Sequence, residues 1–295
     1  MSDQEGVNLE KLIGESRNKI LKEISNFIDL KEKNKKFIPG VTYIQYSGAY
    51  YGEEEAKSFI NSFLDGWFGL GPLGEEFEKK LAKTIGTGYG ALTNSGSSAS
   101  LLSIAALSSW KMNDRRLKIG DELIVAANSF PTTVNPIIQF GLIPVFLDPD
   151  LGTYNINPNK IKEAITDKTR AIYFAHTLGN PYNMHDLQSI CQEHELFLIE
   201  DNCDALGSKF DGRMTGSFGD LATHSFYPAH HLTCGEGGAI LVKSNKMQRT
   251  VKTLRDWGRG CYCSGSDQKP FGECGNRFNY ELNGIPYDHK YIFDD

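Results

Sequence analysis

The chain predicts an α/β fold: a mainly parallel central sheet with helices on both faces. Short apolar runs alternate with segments of helical period from Tyr89 onward. Several of these runs end in small or polar residues, as strands do where they deliver side chains to a crevice. At 295 residues the chain can also bury a sizeable core, so one large domain with appendages is expected.

Leu9, Leu12, Ile13, Ile20, Ile24, Phe27 and Ile28 recur at helical spacing, which predicts one amphipathic helix, or two broken near Gly14. The polar run "KEKNKK" closes this N-terminal helical segment, set at residues 1–40. A large domain over 41–250 follows. Its predicted strands are "GALT", "ELIVAA", "IPVFLD", "AIYFAH", "LFLIED", "LATHSF" and "GAILVK". Between them "SSASLLSIAALSSW", "TTVNPIIQFG", "NKIKEAI" and "MHDLQSICQEHE" read as covering helices. Residues 251–295 are rich in loop formers and cysteine and show no persistent period.

Lys plus Arg number 31 against 37 Asp plus Glu, a net charge of -6, so no polybasic face for nucleic acid is indicated. The charged N-terminus holds no apolar run long enough for a signal peptide or a membrane span, and the cytoplasm is the expected compartment. There, cysteines 191, 203, 234, 261, 263 and 274 serve as metal ligands, catalytic groups or core filler and not as disulfides. Small molecules are the expected partners.

Four stretches carry chemistry. "LTNSGSSAS" sets Gly96, Ser97 and Ser98 between a strand and a helix, where backbone N–H groups and the helix dipole can hold a phosphate; the alternative is a plain serine N-cap. "LFLIEDNCDALGS" ends an apolar strand in two carboxylates, and Asp201 could face a protonated ring nitrogen or lie at the surface. Phe130 could stack on a flat cofactor or pack in the core, and His176 reads as a hydrogen-bonded structural histidine near the crevice. "SFYPAHHLTCGEGGA" bends at Pro228 and carries a glycine pair where backbone must approach something closely, with His230 and His231 at the bend.

The order and spacing of these pieces resemble the DegT/DnrJ/EryC1/StrS sugar aminotransferases, fold type I pyridoxal-phosphate enzymes acting on nucleotide-linked keto-sugars, from about residue 43 to the end. The resemblance implies a phosphate held by Gly96, Ser97, Ser98 and Ser225, a ring stacked on Phe130, and Asp201 paired with the pyridine nitrogen. His230 then falls at the family's Schiff-base lysine position. Imidazole cannot form that covalent link, but pyridoxamine phosphate can still bind noncovalently. With a reference pKa of about 6.5 against about 10.4 for lysine, histidine suits proton transfer near neutrality. His231 reads as a supporting group.

"AHTLGNP", "EDNCDALG" and "FYPAHH" are similar to the family's histidine-bearing CDP-4-keto-6-deoxyglucose 3-dehydrase subgroup, which serves 3,6-dideoxyhexose synthesis of the lipopolysaccharide O-antigen type. By that resemblance His230 takes the benzylic proton, Tyr227 assists the leaving C3 hydroxyl, and Asp204 stands near the cofactor's phenolic oxygen. Cys203, Cys261, Cys263 and Cys274 would hold a [2Fe-2S] cluster fed by a separate iron-sulfur flavin reductase. The gap from Cys263 to Cys274 is longer than that subgroup's usual one. A zinc site or unliganded thiols are the alternatives for the cysteines, and Cys-x-Cys is not the usual zinc spacing. A cluster-free dehydratase and a non-catalytic remnant also stay open. The resemblance further implies a homodimer in the full-length form and a chain stopping before a small C-terminal domain.

Overall fold

A computed structural model of the chain describes residues 3–66, 68–260, 278–288 and 291–295, with side chains from residue 8 on. By its contacts the chain divides into two units, Met1–Gly71 and Pro72–Asp295. The division therefore falls after residue 71, and residues 41–71 go with the N-terminal helix. Among the described residues no helix is long and apolar enough to cross a membrane.

The first unit is built on α1 (Asp3–Lys33) and α2 (Glu53–Leu64). The break expected near Gly14 is absent: α1 runs through it. One helical glycine costs about 1 kcal/mol, which the good helix formers around it (Glu, Lys, Leu) outweigh. Three glutamates open α2 at the positive end of its dipole, and Glu55 Oε2 accepts the Gly52 N–H at 2.7 Å. Ser25 of α1 donates to Glu53 of α2 at 2.9 Å. Of the apolar stripe on α1, Ile28 is buried, whereas Leu9, Leu12, Ile13, Ile20 and Phe27 are exposed.

The second unit begins with α3 (Pro72–Ile85) and carries a seven-stranded sheet. In chain order its elements are β1 (Tyr89–Thr93), α4 (Gly96–Ser108), β2 (Glu122–Ala126), α5 (Pro131–Gln139), β3 (Ile143–Leu147), α6 (Pro158–Ala164), β4 (Thr169–Ala175), α7 (Met184–Glu193), β5 (Phe197–Asp201), the small hairpin β6 (Lys209–Phe210) and β7 (Arg213–Met214), β8 (Leu221–Ser225), β9 (Gly238–Val242) and α8 (Asn245–Arg255). A second hairpin, β10 (Tyr280–Leu282) and β11 (Ile285–Tyr287), follows. The sheet order is β1-β9-β8-β5-β4-β2-β3, parallel except where β9 runs antiparallel to both β1 and β8. All seven expected strands and all four expected helices of this region form.

Strand periodicity explains the layering. In β2, Leu123 and Val125 join the core cluster of α4 and α5, while Ile124 and Ala126 join that of α6 and α7. Ala171 and Tyr173 in β4 separate from Ile172 and Phe174 in the same way. A third cluster packs Leu81, Ala82 and Ile85 of α3 on β8 and β9. Each Leu, Ile, Val or Phe side chain among these, taken fully from water, contributes roughly 1.5–3 kcal/mol. With both faces covered, the carboxyl ends of β4, β5 and β8 are left as the place for a cleft.

Candidate active site

β5 ends in adjacent carboxylates, and the period of two sends them to opposite faces. Glu200 is fully buried: Oε1 accepts the Phe218 and Gly219 N–H groups at 2.8 and 2.6 Å, and Oε2 lies 2.7 Å from the Gly216 nitrogen and 3.0 Å from His176 Nε2. Burial works against its charge, but the bonds from His176, Gly219 and Gly216 prevail and hold its carboxyl below the usual value. His176, as expected, is a buried structural group; its Nδ1 accepts the Tyr182 N–H at 3.4 Å.

Asp201 faces the other way, into a cleft of about 410 Å³. It is 6% exposed; Oδ2 accepts from Thr133 Oγ1 at 2.7 Å and Oδ1 from the Cys203 N–H at 3.2 Å. Gly96, Ser97, Phe130 and Ser225 line the same cleft, and so do Cys203, Asp204 and His230. Two expected residues are not part of its lining. The Ser98 N–H is taken by Ser95 Oγ at 3.1 Å, so the serine cap is present, but Ser95 supplies it. Tyr227 is half exposed beside the cleft, its N–H 3.4 Å from Ser225 Oγ. His231 is exposed.

The turn before α4 is shaped for close approach. Ser95 occupies the Ser98 and Ala99 N–H groups, and among the described residues those of Gly96 and Ser97 have no partner. A Cβ on Gly96 would stand 2.6 Å from Ser225 Cβ and 3.2 Å from Cys203 Sγ. The glycine pair read in the sequence has its reason here too: a Cβ on Gly238 would lie 2.3 Å from the Ser95 carbonyl. Phe130 is 67% exposed just before α5, which rules out the core reading and leaves a free ring at the rim. Pro131, the first residue of α5, has its ring-fixed φ where a helix starts.

His230 Nδ1 lies 3.3 Å from Asp204 Oδ1, and the Nδ1 edge of the imidazole thus meets a carboxylate. Asp204 therefore stands beside the histidine, a pairing that the sequence reading did not include. Below the cleft, buried Tyr173 donates to Ser100 Oγ at 2.8 Å; burial, then the charge of Asp201, pushes its hydroxyl well above the usual range. Burial and the nearby Asp201 and Asp204 likewise push the Cys203 thiol well above its ordinary value. Cys261, Cys263 and Cys274 lie outside the described residues, and among the described residues no group of three His, Cys, Asp or Glu side chains could hold a metal.

Sequence reasoning missed Thr133, Ser100 and Thr177, the last two lining the cleft. A larger, more open depression of about 730 Å³, near Arg115 and Asp220, lies toward the amino end of β5 and gathers, of the residues singled out in the sequence, only Cys191. Free N–H groups at a helix start, an exposed aromatic ring and a buried carboxylate together fit a flat, phosphorylated, protonated heterocycle.

A mostly parallel sheet with one antiparallel strand and a cleft of this make-up defines a pyridoxal-phosphate-dependent aminotransferase-like fold. The chain belongs to the DegT/DnrJ/EryC1/StrS aminotransferase family, whose model matches residues 50–284. It is 46% identical over 286 residues to a Saccharopolyspora spinosa dTDP-4-dehydro-2,6-dideoxy-D-glucose 3-dehydratase, covering 96% of this chain and 61% of that protein. It is also 46% identical over 280 residues to the lipopolysaccharide biosynthesis protein RfbH of Salmonella typhimurium, covering 94% and 63%. The chain thus spans less than two thirds of either relative. Among solved structures, E. coli GDP-4-keto-6-deoxy-D-mannose-3-dehydratase with bound hydrated PLP is similar, with a TM-score of 0.66 and 36% identity over 72% of this chain and 54% of that one.

Proposed function

We propose that this chain acts in a dehydrase that removes the C3 hydroxyl of a nucleotide-linked 4-keto-6-deoxyhexose, with pyridoxamine 5'-phosphate held in the cleft. One observation carries the reading: His230, which the family resemblance sets at the lysine position, lines the same cleft as Asp201 and lies within 3.3 Å of Asp204. The names of two similar proteins, both sugar 3-dehydratases, support it.

When bound, the cofactor supplies a primary amine for the C4 ketone and a conjugated ring that takes up electrons. In this reading Gly96, Ser97 and Ser225 hold the phosphate, with Ser98 as the capped residue of the same turn. Phe130 covers the ring and Asp201 faces its nitrogen. The Asp204 carboxylate beside Nδ1 would favour the charged ring, leaving Nε2 of His230 to take the proton from the carbon that bears the amine. Tyr227, at the rim, assists departure of the hydroxyl. The cofactor-binding domain, set at residues 41–250 from the sequence, is in this reading carried by its part from Pro72 on.

The finer proposal adds a [2Fe-2S] cluster on Cys203, Cys261, Cys263 and Cys274, electrons from a separate iron-sulfur flavin reductase, a homodimer, and a cytoplasmic role in lipopolysaccharide O-antigen synthesis. Cluster iron would have to offset the surroundings that keep the Cys203 thiol protonated. The second reading is a cluster-free dehydratase. The test is an absorbance spectrum of anaerobically prepared protein with iron and sulfide analysis, followed by titration with pyridoxamine 5'-phosphate. Brown protein that loses its colour on Cys261→Ser supports the cluster; cofactor binding without iron supports the second reading; neither refutes both.

A further inference from the structure

We infer that Thr133 is the positioning residue for Asp201, its hydroxyl setting the orientation in which that carboxylate meets the heterocycle; this rests on the cofactor reading above. Thr133 is fully buried and donates to Asp201 Oδ2 at 2.7 Å, a contact between residues 68 apart in sequence. A hydroxyl on a helix ordinarily donates to the carbonyl four residues back. Ser103 does so to Ala99 at 2.9 Å, and Thr250 to Lys246 at 3.0 Å. Thr133 stands in the first turn of α5, where the residue four back, Ser129, precedes the helix, and its one proton goes to the carboxylate.

The other oxygen of Asp201 accepts the Cys203 N–H, so each oxygen has a protein donor and the carboxylate cannot rotate without losing both bonds. The remaining acceptor sites are left for the cleft that Asp201 lines. The same turn carries Phe130, whose carbonyl accepts the Thr133 N–H at 3.0 Å. One helical turn that starts at Pro131 thus joins the free ring at the rim to the hydroxyl on the floor. The spacing of ring face and carboxylate is set by a single piece of backbone.

The experiment compares the chain with Thr133→Val, which keeps the shape and removes the donor, Thr133→Ala as a second donorless variant, and Thr133→Ser, which restores the hydroxyl. Pyridoxamine 5'-phosphate is the probe, read by its dissociation constant and by the pH at which the bound ring loses its nitrogen proton in absorbance. Val and Ala should weaken binding about tenfold, or about 1.4 kcal/mol, and lower the ring titration by about one pH unit, with Ser within about threefold of the parent. A merely structural role would lower thermal stability and leave the ring titration in place. A Val or Ala protein that binds and titrates as the parent does overturns the inference alone. A parent chain that binds no pyridoxamine 5'-phosphate overturns the cofactor reading and the inference with it.

Discussion

Glu200→Gln should be among the most damaging conservative changes in the second unit, although it lies outside the cleft lining. The carboxylate has four donors: three backbone N–H groups and His176. A glutamine carbonyl can keep the Phe218 and Gly219 bonds, but as a neutral acceptor it loses about 1 kcal/mol on each. Its amide then points N–H at N–H against Gly216, and an unsatisfied buried donor costs about 1–3 kcal/mol. The expected loss is about 3–5 kcal/mol, equivalent to about 10 °C in melting temperature for a domain of this size. The assay is urea unfolding at pH 7, where the midpoint should fall with little change of slope. Acid adds a second readout. Because the folded pKa of Glu200 lies below the ordinary 4.5, its stabilisation is fully present above about pH 4.5 and is lost as pH falls through the lower folded value. The variant should lack that acid-side loss. A destabilisation under about 1 kcal/mol at pH 7, or an unchanged acid profile, would refute the reasoning.

Phe130→Ala removes a 67% exposed ring and should change stability by less than about 0.5 kcal/mol, while calorimetry should show pyridoxamine 5'-phosphate binding weakened about three- to tenfold. Gly96→Ala forces a Cβ to 2.6 Å from Ser225 Cβ and should cost about 1–3 kcal/mol in unfolding, with cofactor affinity down more than tenfold in a fluorescence titration. Burial holds the Cys191 thiol at about 12 and the Cys203 thiol well above normal, so iodoacetamide at pH 8 should leave both unlabelled in peptide mass spectra until urea is added. Burial depresses His224 to about 4, so stability should be complete above pH 6.5 and fall by up to about 3 kcal/mol as pH drops through 4; urea midpoints of His224→Asn that follow the same curve would exclude this origin.

The strands were readable because alternating burial leaves a period of two, and "GAILV" reads the same whichever way it runs. Its direction lies in its connection: residues 226–237 between β8 and β9 contain no crossover helix, and only an antiparallel return is then possible. Helices α3 and α8 went unread because charges outnumber their few apolar residues, Phe77, Leu81 and Ile85 in "PLGEEFEKKLAKTI" and Met247, Val251 and Leu254 in "NKMQRTVKTLR", although these keep helical spacing. In the site, Asp201 and Ser225 follow from their places at strand ends, and Phe130 and His230 from a family pattern. Thr133 follows from neither. Its partner is set by how α5 packs against the end of β5, a contact no local signal carries.

The alternation that builds the sheet also divides the labour of its carboxyl end. On β5, Glu200 turns toward His176 and the Gly216–Gly219 backbone, while Asp201, one residue on, turns toward Thr133 and the cleft. β8 repeats the division: His224 is buried within the field of Glu200 and His176, and Ser225 packs beside Gly96 in the cleft. The two carboxylates are therefore chemically alike but not exchangeable. The first has every oxygen engaged by the scaffold, so nothing that enters the cleft can compete for it. The second is held through Thr133 on one oxygen and Cys203 on the other and keeps acceptor capacity facing outward. A slip of one residue in the pairing of β5 with β4 or β8 would exchange them, putting the saturated carboxylate in the cleft and the half-free one in the core. The hydrogen bonds around Glu200 oppose that slip, which gives a residue remote from the chemistry a direct hold on where Asp201 points.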